Sequence, residues 1–389
     1  MTEPRKNLIE RRKRRKLKRF WRRFILLVLV VVVTSLCYRY YNLKHTYTKT
    51  NKIKHITKIK KSLSKKSLIE PVVDINRSPV IDAYLKGLHF NGSVIVVKND
   101  KIILNKGYGF ADFEKKRVNN SQTDFYIGSI TKVFISTSIM QLQEKGKLNI
   151  NDLLSKYIPE FPGGNKIKLF NLLTHTSGIP EHSESQQMIS HDDLMKKIEG
   201  GHLKFQPGTK WNYSDSNYSI LAYIVEKITG QPLDRYVKEH IFNIAGMKHT
   251  GFGTEIYHEP FYPKGYKIKD NRMISTTLPN MSQLFGCGDI YSTPYDMYLF
   301  DKNLYSGKFF SKKSLITFLT PFKNNYALGL YRDPGSYSDH GVLPGWNSLN
   351  SFSKKGTVYT VLLSNVQNGV KSLGTLNNQI YIMLRDMKY

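Results

Sequence analysis

Cysteine is nearly missing from this chain of 389 residues: there are two, Cys37 and Cys287. One sits in an apolar run near the N-terminus and the other far into the body, so no disulfide is expected between them. Acidic residues are also scarce, 30 Asp and Glu against 59 Lys and Arg, and none lies between Arg39 and Ile69. There is no internal repeat. A Gly-x-Ser-x-Gly elbow and a His-Glu-x-x-His pair are both absent, which removes two common hydrolase signatures. No small-x-small cleavage site follows the apolar run, so the leader does not read as a removable signal peptide. Thr34-Ser35-Leu36 before Cys37 makes a poor lipid-attachment site.

What is present begins with charge. The net charge is +29, and residues 1–70 hold 22 cations against 3 acids, a net of +19. Residues 1–23 alone carry twelve Lys and Arg. An uncharged run, Phe24 to Tyr38, follows at once. Fifteen helical residues reach only about 23 Å, short of a hydrocarbon core of roughly 30 Å. Phe20 and Trp21 on one side and Tyr40 and Tyr41 on the other extend it, with Arg22, Arg23 and Arg39 able to snorkel. The expectation is a cytoplasmic basic segment (1–23), a single-pass transmembrane signal anchor (24–38, up to 20–41), and a basic extracellular stalk (39–78). The apolar run argues against a nucleic-acid-binding arm, so no nucleic-acid partner is expected. Export without disulfides is compatible with a Gram-positive surface.

The body, 79–389, reads as mixed α/β (α+β). Ile81 to Leu88 looks helical. Ser93–Val97 and Ile102–Leu104 are β-branched runs around Asn99-Asp100, a hairpin pattern. Ser348–Phe352 and Thr357–Leu363 make a second strand pair, and Leu373–Met387 a final helix. The segments between them read mostly as helices. The expected architecture is a sheet assembled from both chain ends, with a largely helical region inserted.

Three elements carry chemistry. In Gly128-Ser129-Ile130-Thr131-Lys132, a helix starting near Ser129 sets Lys132 on the same face. A serine hydroxyl needs a base to become a nucleophile, and a buried lysine can serve. Ser-x-x-Lys also occurs at Ser62–Lys65 and Ser351–Lys354, but only the Ser129 copy heads an apolar helix. The bland alternative for Ser129 is a helix cap. The second element is Tyr213-Ser214-Asp215, in a loop ahead of a helix. Tyr213 is a candidate general base; Ser214, Asp215 or Ser216 is expected to cap the helix. The third is Asp339-His340-Gly341-Val342-Leu343-Pro344-Gly345, just before a strand, where glycines suit close approach of a ligand to backbone.

Together these resemble the Ser-x-x-Lys, Tyr-x-Asn and Lys-Thr-Gly or His-x-Gly motifs of the penicillin-recognising serine hydrolases: D,D-peptidases, class C β-lactamases and related esterases. The resemblance spans about residues 80–385, with Leu172–Gly178, Phe205–Gly208 and Gly286–Met297 as supporting segments. It implies a β-lactamase/D,D-peptidase-like antiparallel sheet flanked by helices. Ser129 would be acylated, and Lys132 and Tyr213 would share the proton. The backbone N–H groups of Ser129 and Leu343 would form the oxyanion hole. Asp215, His340 and Gly341 would bind substrate, and no metal or organic cofactor is implied. His175 and Asp296 read as structural.

Two departures bear on substrate. His340-Gly341-Val342, set against Lys-Thr-Gly, lacks the cation that holds a substrate carboxylate, since histidine is mostly neutral above about pH 6.5. Asp215 stands where asparagine is usual and can only accept hydrogen bonds when ionised. Both suit a substrate with an ammonium and no carboxylate, such as D-alanyl esters of teichoic acid, and the chain resembles the esterases that remove them. The alternatives are a D,D-carboxypeptidase or low-affinity penicillin-binding protein acting on peptidoglycan, a nonspecific esterase, and a non-catalytic wall-binding protein.

Overall fold

The computed structural model describes residues 74–387, which belong to a compact unit running from Val72 to the C-terminus. The expected basic segment, anchor and most of the stalk lie outside the described residues. Among the described residues no helix is long and apolar enough to cross a membrane.

The strands that organise the site are β1 (Ile75–Asn76), β2 (Gly92–Lys98), β3 (Lys101–Tyr108), β4 (Phe125–Tyr126), β5 (Gly251–Phe252), β6 (Ile290–Ser292), β7 (Tyr331–Arg332), β8 (Ser336–Leu343), β9 (Trp346–Ser353) and β10 (Val358–Ser364). The main sheet is antiparallel throughout, in the order β1-β3-β2-β10-β9-β8-β7. Its centre pairs the N-terminal hairpin with the C-terminal one, β2 against β10, as the sequence suggests. Asn99 and Asp100 turn the first hairpin with φ of 50° and 61°, the left-handed conformation that Asn and Asp tolerate. The sheet also takes in Ile75 and Asn76, so the folded body starts inside the segment read as stalk.

Strand alternation sends side chains to two cores. Val94 and Val96 of β2 join a cluster under α1 (Pro79–Gly87) and the last helix. Ile95 and Val97 face the larger cluster of the inserted region. With both faces covered, the strand reads as a continuous apolar run, and each fully buried aliphatic side chain contributes about 1.5–3 kcal/mol.

Four more helices matter: α2 (Thr131–Glu144), α3 (Ser216–Thr229), α4 (Pro294–Tyr305) and α5 (Leu373–Asp386). Helix α1 starts at Ser78, whose hydroxyl accepts from the Ile81 N–H, followed by Pro79 in the first turn, where a missing N–H costs nothing. Helix α2 is buried on nearly every side, twelve of its fourteen residues. Two of its buried hydroxyls return to its own backbone: Thr137 donates to the Val133 carbonyl at 2.8 Å and Ser138 to Phe134 at 2.9 Å. A second small sheet, β4-β6-β5, connects the inserted region to the start of α2. Nothing in the periodicity announced it, because its strands are two or three residues long.

Candidate active site

The segment that presents Ser129 is held at both ends. Strand β4 pairs with β6, and the Ile127 N–H donates to the Ile290 carbonyl at 3.1 Å. Gly128 then turns at φ 54°, and Gly128–Ile130 form one 3₁₀ turn ahead of α2. Neither the turn nor the helix has a side-chain cap, so Ser129 is not the capping residue of the bland reading. Its hydroxyl instead accepts from Lys132 Nζ at 2.9 Å.

Lys132 is 1% exposed. Its ammonium also donates to the Cys287 carbonyl at 2.9 Å and pairs with Asp215 Oδ1 at 2.6 Å. The rings of Tyr213 and Tyr218 lie 5.0 and 5.7 Å from it. Burial by itself lowers the lysine pKa, but the charge of Asp215 and the neighbouring Tyr213 outweigh it, and the net shift is upward. Lys132 is therefore an ammonium in the resting site. Tyr213 is raised as well: burial dominates, and the pull of Lys132 only partly offsets it.

The Asp215 carboxylate is thus committed to Lys132 and makes no cap bond on α3. Glu181 instead holds the residue ahead of the helix, accepting the Asp215 N–H at 2.9 and 3.0 Å. Tyr213 is positioned by His175, which is fully buried, with ring centroids 4.2 Å apart. His175 Nδ1 accepts from the Ser214 N–H at 3.2 Å, which leaves Nε2 to donate to the Tyr326 hydroxyl at 3.2 Å. Burial and the Lys132 charge hold that imidazole neutral.

The third motif is phased differently from the sequence reading. It is not a loop before a strand but the strand β8 itself, in register with β9. Gly341 is the close-approach glycine: a Cβ there would lie 1.8 Å from the Ile127 carbonyl oxygen. Asp339, two residues earlier, points to the same face, while His340 points to the other. His340 lies opposite Leu349, which belongs to the core under α1 and α5. Its Nε2 engages Asn347 Oδ1 at 2.7 Å. The residue standing where a Lys-Thr-Gly lysine would be is therefore Asp339, and His340, at the next position, also lines the cleft with Ser129.

The same phase corrects the expected oxyanion donor. The Asp333 N–H donates to the Ser336 carbonyl across the β7–β8 turn. Positions 336, 338, 340 and 342 consequently direct their backbone groups towards β7, and 339, 341 and 343 towards β9. Strand β7 ends its pairing at Ser338, so the Val342 N–H lies off a free edge. A Cβ on Gly128 would come within 3.0 Å of that nitrogen. Leu343 turns its N–H into the ladder and its side chain into the core at 7% exposure.

Ser129, Tyr213, Tyr326, Tyr331, Asp339, His340 and Val342 are among the residues lining a cavity of about 300 Å³. Asp339 is 5% exposed, and its Oδ2 has no hydrogen-bond partner. Burial, and behind it the charge of Asp301, push its pKa well up. Asn350 bridges the two acids, donating to Asp301 Oδ1 at 2.9 Å. Sequence reasoning missed Asp339 and Val342; counting strand phase back from the two-residue Pro344-Gly345 turn was the available signal.

A β-lactamase family model matches residues 80–381. PbpX of Bacillus subtilis (strain 168), which carries a penicillin-binding-protein name, is 44% identical over 99% of both chains. A teichoic acid D-alanine hydrolase of Staphylococcus aureus (strain MRSA252) is 34% identical over 78% of this chain and 75% of its own length. The crystal structure of FmtA from Staphylococcus aureus superposes with a TM-score of 0.74 at 28% identity, covering 82% of this chain and 94% of that one. The chain belongs to the β-lactamase family of serine hydrolases, the penicillin-recognising superfamily that its three motifs resemble.

Proposed function

We propose that the protein is a surface-anchored D-alanyl esterase of teichoic acid, held by an N-terminal single-pass anchor with the catalytic unit outside the cell. The observation that carries this reading is a pair of acids near Ser129: Asp215 on Lys132, which bonds the Ser129 hydroxyl, and Asp339 in the cavity lining where a carboxylate-binding lysine would stand. Asp339 offers no cation for a substrate carboxylate, and the Asp215 carboxylate suits an acyl group bearing an ammonium. The relation to the staphylococcal D-alanine hydrolase supports the same substrate class.

Ser129 attacks the ester carbonyl, and the D-alanyl group passes to its oxygen. The resting ion pair keeps Lys132 protonated, so the base must be released. A substrate ammonium arriving beside Asp215 competes for the carboxylate, and the buried lysine then gives its proton up to solvent in the cleft, leaving the neutral amine as base. Lys132 and Tyr213 take the Ser129 proton and return it to the leaving alcohol oxygen. The N–H groups of Ser129 and Val342 hold the developing oxyanion. Water ends the cycle by releasing D-alanine.

The test is D-alanine release from D-alanylated lipoteichoic acid by the detergent-solubilised full chain, with intact mass spectrometry of Ser129. No release by wild type, or equal release by Ser129→Ala, rejects the reading. Likeness to PbpX keeps a D,D-peptidase as the second reading. Stoichiometric labelling by a fluorescent penicillin, with cleavage of muropeptide D-Ala-D-Ala, would establish that one instead.

A further inference from the structure

Away from the cleft, three side chains from distant parts of the chain converge at one end of the β4-β6-β5 sheet. Asp124 directly precedes β4, His249 lies two residues before β5, and Glu259 follows a 3₁₀ turn, Gly253–His258. One donor atom from each lies within 4.8 Å of the others, the single such grouping of potential metal ligands among the described residues.

The decisive member is Asp124. It is 0% exposed, and neither carboxylate oxygen has a hydrogen-bond partner. A buried carboxylate without partners costs several kcal/mol, on the order of a lost charged hydrogen bond or more. The potential ligand atoms grouped with it are those of His249 and Glu259. The other two are already oriented. Glu259 Oε1 accepts from the Tyr291 hydroxyl at 3.0 Å, leaving Oε2 free towards the imidazole, 3.7 Å from His249 Nδ1. The His249 backbone is pinned by its N–H to Asp296 Oδ2 at 2.7 Å, and Thr250 donates to the same oxygen at 2.9 Å. Side-chain exposures of 41% for His249 and 21% for Glu259 leave an entry from solvent.

We propose that Asp124, His249 and Glu259 bind a divalent transition-metal cation. One imidazole and two carboxylates form a mixed nitrogen and oxygen set, which suits zinc better than magnesium or calcium, both of which prefer oxygen alone. Three protein donors leave room for water. The ion is structural, since it takes no part in acyl transfer. It ties the head of β4, five residues before Ser129, to the loops entering β5 and leaving the 3₁₀ turn, and so steadies the strand that delivers the nucleophile.

The test is calorimetric titration of chelator-stripped full-length protein in detergent with zinc chloride, and with magnesium chloride as the comparison, followed by thermal melting. Expected are one saturable zinc equivalent, a rise in Tm by mass action, and negligible response to magnesium. Asp124→Asn and His249→Gln should each weaken zinc binding by about tenfold or more, while Ser129→Ala binds like wild type. Should Asp124→Asn fail to fold, His249→Gln, at a half-exposed position, decides the matter. Absence of saturable binding, or binding unchanged in His249→Gln, overturns the proposal; the second result would assign zinc to other histidines of the chain.

Discussion

Lys132 and Asp215 meet at 2.6 Å beside Ser129, although they stand 83 positions apart in the sequence. The pair turns the proposed catalytic base into a stored cation, and ties two of the three motifs into one electrostatic unit.

Asp215→Asn removes the counter-charge and leaves a buried ammonium. The raised Lys132 pKa stabilises the fold at every pH below the unfolded value of about 10.5 and is lost only above the folded one. At neutral pH the variant should therefore be less stable, by about 2–3 kcal/mol, somewhat below a fully buried pair because Asp215 is partly exposed. Urea denaturation measures this. With burial unopposed, Lys132 also titrates lower, so the ascending limb of the acylation profile, where the base loses its proton, should move to lower pH.

Val342→Pro isolates the oxyanion donor. The Val342 N–H is off the ladder, and proline is tolerated at such edge positions. The expected result is a kcat lower by about 10²–10³ with little change in Tm. Val342→Ala, which keeps the N–H, should stay near wild type. Leu343→Pro should instead unfold the hairpin.

His175→Gln tests positioning. Loss of the ring beneath Tyr213 should lower kcat with little change in KM. The imidazole has a depressed pKa in the fold, so its contribution is present above the unfolded value of about 6.5 and is lost as pH falls below it. The variant should show a flatter loss of stability between neutral and mildly acidic pH, read from denaturation midpoints.

Asp339→Asn removes a buried acid whose pKa is raised. Wild-type stability from this group is present below the unfolded value of about 3.9 and declines as pH rises from there. At pH 7 the variant should be more stable than wild type, with the difference vanishing near pH 3, read from denaturation midpoints. If Asp339 recognises the substrate ammonium, KM for a D-alanyl ester should rise. Asp339→Lys should increase labelling by a fluorescent penicillin.

Much of the sheet was legible because its evidence is local. Asn99-Asp100 between two β-branched runs specifies a hairpin, and the pattern from Ile81 to Leu88 a helix, with no reference to distant residues. Ser129 and Lys132 were legible for the same reason, since helical geometry alone sets them on one face. The segment before residue 79 was read as stalk throughout, yet Ile75 and Asn76 join the sheet. Pairing with β3 needed only two residues, too few for any pattern.

By itself, then, the sequence determined the architecture from both chain ends, the Ser129–Lys132 nucleophile segment and the kinship of three motifs. Tertiary structure decided what those residues face. A strand has a period of two, so a one-residue error of phase exchanged His340 for Asp339 and Leu343 for Val342. Asp215 looked like a helix cap and substrate ligand because its local options were visible and its partner was not. The grouping of Asp124, His249 and Glu259 was invisible for the same physical reason: contacts between residues far apart in the chain are chosen by packing and loop closure, not by local propensity.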